Sequence, residues 1–313
     1  MAGMDYVNWA KDMVAKHDQE MMMERFNRSA GKKAIFMPFF GEVGWMVMHQ
    51  MRLVHFSKAT RKVVCCRKGQ EVLFPTADEF YYDWQDPLDD SRRGGTGRLA
   101  VDWSAIRNKY TDHVAVETSG LTNTQELIPY CLHKNIPLTP KKRGLSVDIC
   151  IATRKRDFCP EKNYPHWQYI ADAITKAGFR FAVIGSQASS YPLVGQVCLS
   201  GDYGDYDAAV ELLQSCKVFL GTDSGGAHLA SVVNACPMIV QSVPDTVYQG
   251  QIVSVRNFIP RMAATTSYPV IEITSDQWDN PDAILSALWK VLPVAKPTAT
   301  TMTPKPRKHK HGR

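Results

Sequence analysis

The stretch Val218-Phe-Leu-Gly-Thr-Asp-Ser-Gly-Gly-Ala-His-Leu-Ala-Ser-Val-Val233 leaves the chain few folds to choose from. Val218–Leu220 is a short apolar run of the kind that forms a buried strand. Gly221–Gly226 is a tight loop of small and polar residues, and Ala227–Val233 sets Leu229 and Val233 on one face of a helix. A strand, a glycine loop and a helix start present unpaired backbone N–H groups at the positive end of a helix dipole, which suits a phosphate. Asp223 and Ser224 either cap that helix or contact the ligand, and Gly225 and Gly226 let an oxyanion approach the backbone.

The same strand-then-helix rhythm runs through the rest of the chain. Residues 1–31 read as a helical extension, with Tyr6, Trp9 and Met13 at helical spacing. Ala34–Phe39 is a first strand, followed by the glycine loop Phe40–Gly44 and a helix over Trp45–Phe56. Lys62–Cys66, Glu71–Phe74, Phe80–Trp84 and Val114–Glu117 read as strands, Asp86–Gly97 as a loop, and Asn123–His133 as a helix. Pro137–Gly144, with its prolines, basic run and glycine, reads as a linker, and the pattern then restarts. Val147–Ala152 is a strand and His166–Ala177 a helix closed by Gly178 at C′. Phe181–Ile184 is a strand ending in Gly185-Ser186-Gln187, and Gly195–Leu199 is a short strand-like run. Tyr206–Cys216 is a helix capped by Asp205, Pro237–Gln241 a strand and Pro281–Leu292 a last helix.

This alternation predicts an α/β protein of two Rossmann-like domains facing a cleft, residues 32–140 and 145–293, each with a parallel sheet. Ligands in such sheets sit at the carboxyl ends of the strands, so Phe40–Gly44, Thr153–Lys162, Gly185–Gln187 and Gly221–Gly226 are expected to converge. With 313 residues the chain has room for two cores, and 44% apolar with 22% charged residues describes a soluble globular protein. No apolar run approaches the ~20 residues of a membrane span. The N-terminus carries Asp5, Lys11, Asp12 and Lys16 and is no signal peptide, so a cytoplasmic location is expected. The eight cysteines show no metal-type spacing and read as reduced thiols. Net charge is +6, from 37 Lys and Arg against 31 Asp and Glu. Six of those basic residues and no acid lie in 294–313, so the body balances at 31 of each. The tail reads as disordered, a solubilising end or a binder of DNA, RNA or an anionic membrane surface.

Three places resemble the GT-B glycosyltransferases, and within them the ADP-heptose:lipopolysaccharide heptosyltransferase family. Phe40-Gly41-Glu42-Val43-Gly44 is similar to the family's N-terminal Gly-Asp-Val/Ile loop. Lys162 and Trp167, then Gly178 and the Val-Ile-Gly-Ser strand end, resemble its Lys-x-Trp…Gly…Gly-Ser run. Thr222-Asp223-Ser224-Gly225-Gly226-Ala227-His228-Leu229-Ala230 is close to its Asp-Ser/Thr-Gly-x-x-His-Leu-Ala block. The resemblance covers about residues 32–292. Here Glu42 stands where the family usually has Asp, and Lys162 precedes Trp167 by five residues rather than two. It implies transfer of a sugar (hexosyl, heptosyl or pentosyl) from a nucleotide-sugar co-substrate, with Glu42 as base and inversion at the sugar carbon. It also implies contacts to the donor from Thr222, Asp223, Ser224, Gly225, Gly226 and His228, and from Lys162.

Glycosyl transfer needs charge stabilised on the leaving diphosphate and a proton removed from the acceptor hydroxyl. The helix start at Ser224–Ala227 and the cationic Arg154 or Lys162 suit the first task. Such donors remove the need for a metal, and no other cofactor is implied. Glu42, in a glycine-flanked loop, suits the second, or else caps the following helix. His228 touches the donor or bonds the loop, and Gly185, Ser186 and Gln187 are candidates for the donor nucleoside. The acceptor is a glycan, a lipid or a hydroxylated base in DNA, which a duplex would have to flip out. Alternatives are a nucleotide-sugar 2-epimerase-like isomerase and a non-catalytic nucleotide or nucleic-acid binder of the same fold.

Overall fold

The computed structural model describes residues 20, 23–39, 43–84, 103–118, 136–156, 160–244, 246–248, 251–253 and 259–292. Two parallel sheets carry the fold. Strands β1 (Lys33–Phe36), β2 (Arg61–Cys65), β3 (Glu79–Tyr81) and β4 (Val114–Val116) lie in the order β3-β2-β1-β4. Strands β5 (Ile149–Ala152), β6 (Phe181–Val183), β7 (Val218–Thr222), β8 (Met238–Gln241) and, after an antiparallel pair β9 (Thr246–Tyr248) and β10 (Gln251–Val253), β11 (Val270–Ile273) form the second. Its order is β11-β8-β7-β5-β6, every neighbour parallel. The helices are α1 (Val43–Met48), α2 (Gln50–Phe56), α3 (Trp103–Lys109), α4 (Trp167–Lys176), α5 (Tyr206–Ser215), α6 (Gly225–Val233), α7 (Ile259–Thr265) and α8 (Pro281–Val291).

Alternation along the strands sorts side chains into three cores. Phe36 and Val64 of the first sheet join Cys150, Phe219 and Val240 of the second in one shared core, closed by Val47, Leu212 and Leu229. The neighbouring residues Ile149, Ile151, Val218, Leu220 and Ile239 point the other way, to an outer core under Trp167, Ile170, Ile174, Ile284 and Leu288. Ile35, Val63, Tyr81, Trp84 and Ile106 form the outer core of the first sheet. Among the described residues no helix is long and apolar enough to cross a membrane. Six cysteines among the described residues are free, and burial pushes the Cys65 thiol up to about 12.

Local signals set several boundaries. Asp205 Oδ1 accepts from Ala208 N and caps α5. Gly178, at φ +82°, ends α4 in a Schellman motif: Gly178 N donates to Thr175 O and Phe179 N to Ile174 O. Three expected elements differ. Glu71–Phe74 is not a strand but a 3-10 turn, Glu71–Leu73, because Gly69 adopts φ +88° and the Gln70 carboxamide accepts from Arg67 N. Trp45–Phe56 is two helices broken at His49. The break turns Gln50 inward, where its Nε2 donates to the carbonyls of Met37 and Cys65. Gly195–Leu199 is shorter than a full strand: Gly195 at φ +88° turns the chain, after which Val197 N donates to Phe181 O, Val183 N donates to Cys198 O, and Leu199 bridges to Val183. Residues 1–19, Asp86–Gly97, Asn123–His133 and the tail 294–313 lie outside the described residues, apart from the helical stretch 23–29 of the N-terminal extension.

The stretch expected as a linker runs without regular structure along α5. Lys141 N donates to Asp207 Oδ1 at 2.7 Å, while Arg143 N and Gly144 N donate to Glu211. Both carboxylates are buried and serve backbone amides. Glu211→Ala leaves two of those amides without an acceptor and lowers unfolding stability by about 1–3 kcal/mol, measured by urea titration.

Candidate functional site

The loop that follows β7 is shorter than the sequence pattern indicates. Gly221 and Thr222 complete the strand, α6 begins at Gly225, and only Asp223 and Ser224 lie between them. Ser224 holds the N-cap position in extended conformation without a side-chain cap bond. The first intrahelical bond runs from His228 N to Ser224 O. Helix geometry therefore leaves the N–H groups of Gly225, Gly226 and Ala227 without intrahelical acceptors, at the positive end of the α6 dipole. Asp223, Ser224, Gly225 and Gly226 are half-buried.

Glycine is required here by contact. A Cβ on Gly226 would stand 2.7 Å from Ala152 Cβ at the end of β5, and one on Gly225 would stand 3.1 Å from Gly44 N. A Cβ on Gly44 would lie 2.8 Å from His228 Cδ2. The first turn of α1 thus meets the first turn of α6 backbone to backbone, with the His228 ring against Gly44. His228 is buried, and its Nε2 lies 3.7 Å from Asp223 Oδ1. A second contact joins the sheets nearby: Tyr206 N donates to Gly69 O at 2.7 Å, and a Cβ on Gly69 would stand 2.6 Å from Gly204 O.

The other candidates lie at the carboxyl ends of β5 and β6. Arg154 Nη1 donates to Asn163 Oδ1 at 2.5 Å, and Asn163 also bridges to the Arg156 backbone in both directions. The Lys162 side chain, half-buried at the end of the 3-10 turn Pro160–Lys162, makes no hydrogen bond or ion pair with another described residue. Gly185 has φ +147°, and a Cβ there would collide with Ser190 Oγ. Ser186 Oγ bonds Ser189 Oγ, and Gln187 Nε2 donates to Asp202 Oδ1 at 2.9 Å. Thr222 is fully buried. It follows Leu220 by two, so its side chain lies on the outer-core face, whereas α6 packs on the shared core. Glu42 lies outside the described residues, with Phe40 and Gly41. Its chain neighbour Val43 packs against Gly225.

The sequence pattern missed one participant: Asn163, which fixes Arg154 and Arg156, carries no motif. Asp223, a candidate from the sequence, also faces His228. Among the described residues no group of three His, Cys, Asp or Glu side chains is placed to hold a metal ion.

No protein-family model and no curated protein sequence matches the chain. Solved structures similar to it include the E. coli ADP-heptose LPS heptosyltransferase II, at 15% identity and a TM-score of 0.49 over 83% of this chain and 98% of that one. A glycosyl transferase family 9 protein from Veillonella parvula DSM 2008 is similar at 13% identity and 0.45, over 82% and 90%. The iron-containing heptosyltransferase TibC, solved with ADP-D-beta-D-heptose, is similar at 12% and 0.42, over 83% and 78%.

Gly226→Ala overpacks the junction with Ala152. The clash costs about 1–3 kcal/mol, more than the ~1 kcal/mol an alanine contributes to helix propensity, so thermal unfolding moves to lower temperature.

Proposed function

We propose that the protein transfers a sugar from a nucleotide-sugar donor to an acceptor hydroxyl. The observation that carries this reading is the half-buried start of α6, where Ser224 makes no side-chain cap bond, at the carboxyl edge of the five-stranded sheet and in contact with the segment that follows Glu42. N–H groups held in that position suit an oxyanion whose charge grows as a glycosidic bond breaks. The leaving diphosphate lies on the amides of Gly225–Ala227 and beside Ser224. Lys162, half-buried at the carboxyl edge of β5, is the cation for its outer oxygens, and Arg154 supports the same edge. Thr222 contributes through its backbone, since its hydroxyl faces the other side of the sheet. Gly185, Ser186 and Gln187 meet the donor nucleoside. His228, pressed on Gly44 beside Asp223, holds the two helix starts together at the donor.

Glu42 takes the proton from the acceptor hydroxyl as that oxygen attacks the sugar carbon. The sugar–phosphate bond breaks, the electron pair leaves on the diphosphate, and configuration inverts. These residues stabilise the leaving group as fixed donors, which makes transfer independent of a metal. The acceptor is a glycan or lipid, or a hydroxylated base in DNA brought by the basic tail.

Incubation with a panel of nucleotide sugars, together with glycan, lipid-linked and hydroxymethylated-DNA acceptors, tests the reading. Release of nucleoside diphosphate with a labelled acceptor is expected. Glu42→Gln is expected to lower turnover by about 10²–10⁴-fold with donor affinity unchanged. Epimerised donor without transfer, or full turnover in the Gln variant, overturns it. Lys162→Ala is expected instead to weaken donor binding, by about tenfold for a loss near 1.4 kcal/mol, read by calorimetry.

A further inference from the structure

The outer face of the five-stranded sheet carries buried polar atoms that make no hydrogen bond to any described residue. Thr222 Oγ1, Gln241 Oε1, Tyr164 OH and Trp167 Nε1 lie out of solvent without a hydrogen-bond partner among the described residues, as does His166 Nε2, which has the exposed Asp279 carboxylate 4.0 Å away. Thr222 and Gln241 are register partners at the carboxyl ends of β7 and β8, and neither residue is exposed. They follow Leu220 and Ile239 by two, so both side chains point to the outer core, where Tyr164 and Trp167 also belong.

Strand order places these groups at one end of the same sheet face. β8 and β7 lie between β11 and β5. Tyr164 follows β5 and Trp278 follows β11, yet their rings meet at 5.0 Å between centroids. The pair therefore spans the strand ends that bear Gln241 and Thr222. Trp167 and His166 edge the same tyrosine at 5.0 and 5.4 Å.

The mixture of donors and acceptors selects the occupant. Trp167 Nε1–H only donates, Gln241 Oε1 only accepts, and the two hydroxyls do either. An anion is refused by the Gln241 oxygen and a cation by the indole N–H. Water serves both, and a buried water makes about three hydrogen bonds, so five such atoms call for about two molecules. We propose that ordered water is enclosed here, bridging Thr222 to Gln241 on one side and Tyr164 to Trp167 and His166 on the other. Thr222 directly precedes Asp223, so this water ties the root of the α6 loop to the first turn of α4. The inference does not depend on the sugar-transfer reading.

The test uses full-length, isotope-labelled protein. The Trp167 indole N–H, identified by its loss in Trp167→Phe or by selective tryptophan labelling, is expected to show a cross-peak to water with the sign of a long-lived bound molecule. Tyr164→Phe is expected to lower Tm by about 2–4 °C, because it withdraws a partner from that water. An indole proton with no water cross-peak, or a Tm unchanged or raised in Tyr164→Phe, means the layer is dry and overturns the proposal.

Discussion

The close approach of Gly44 to Gly225 is the contact on which the rest of this structure depends. Side chains at either position would hold α1 away from α6. Without that approach the His228 ring would lose its seat on Gly44, and the shared core of Phe36, Val47, Phe219 and Leu229 would open. Two parallel sheets become one body because their loops at the carboxyl ends touch through glycine backbone, here and again at Gly69 and Gly204. The arrangement concentrates main-chain donors at one edge, which favours binding of negative charge there.

Much of this was legible in the sequence wherever the determining contact is local. The Asp205 cap, the Gly178 terminus and the strand–loop–helix order of Val218–Val233 are each decided by residues a few positions apart, and the structure has them there, with the last loop shortened to Asp223 and Ser224. The elements that differ are decided by distant partners. Nothing near His49 announces that Gln50 will reach the ends of β1 and β2. Likewise Glu71–Leu73 has a strand-like composition, and the conformation of Gly69, pressed on Gly204 across the molecule, turns it into a 3-10 helix.

The candidate site divides the same way. A glycine-rich strand–helix junction declares its backbone donors in the sequence, because the chemistry belongs to the main chain. Side-chain roles are less visible. Thr222 sits within the motif yet faces the outer core by strand alternation, and Asn163 has no motif yet fixes two arginines. The linker is similar: prolines and a basic run describe its composition, but Asp207 and Glu211, more than sixty residues away, set its path.

Backbone amide shifts measured during titration with nucleotide sugars test the central claim most directly. Binding at the α6 start predicts that the largest changes fall on Gly225, Gly226 and Ala227 and saturate with the donor, and that the free nucleoside diphosphate reproduces them. Saturable binding that leaves those three amides unmoved while shifting others would place the anion elsewhere and contradict the account.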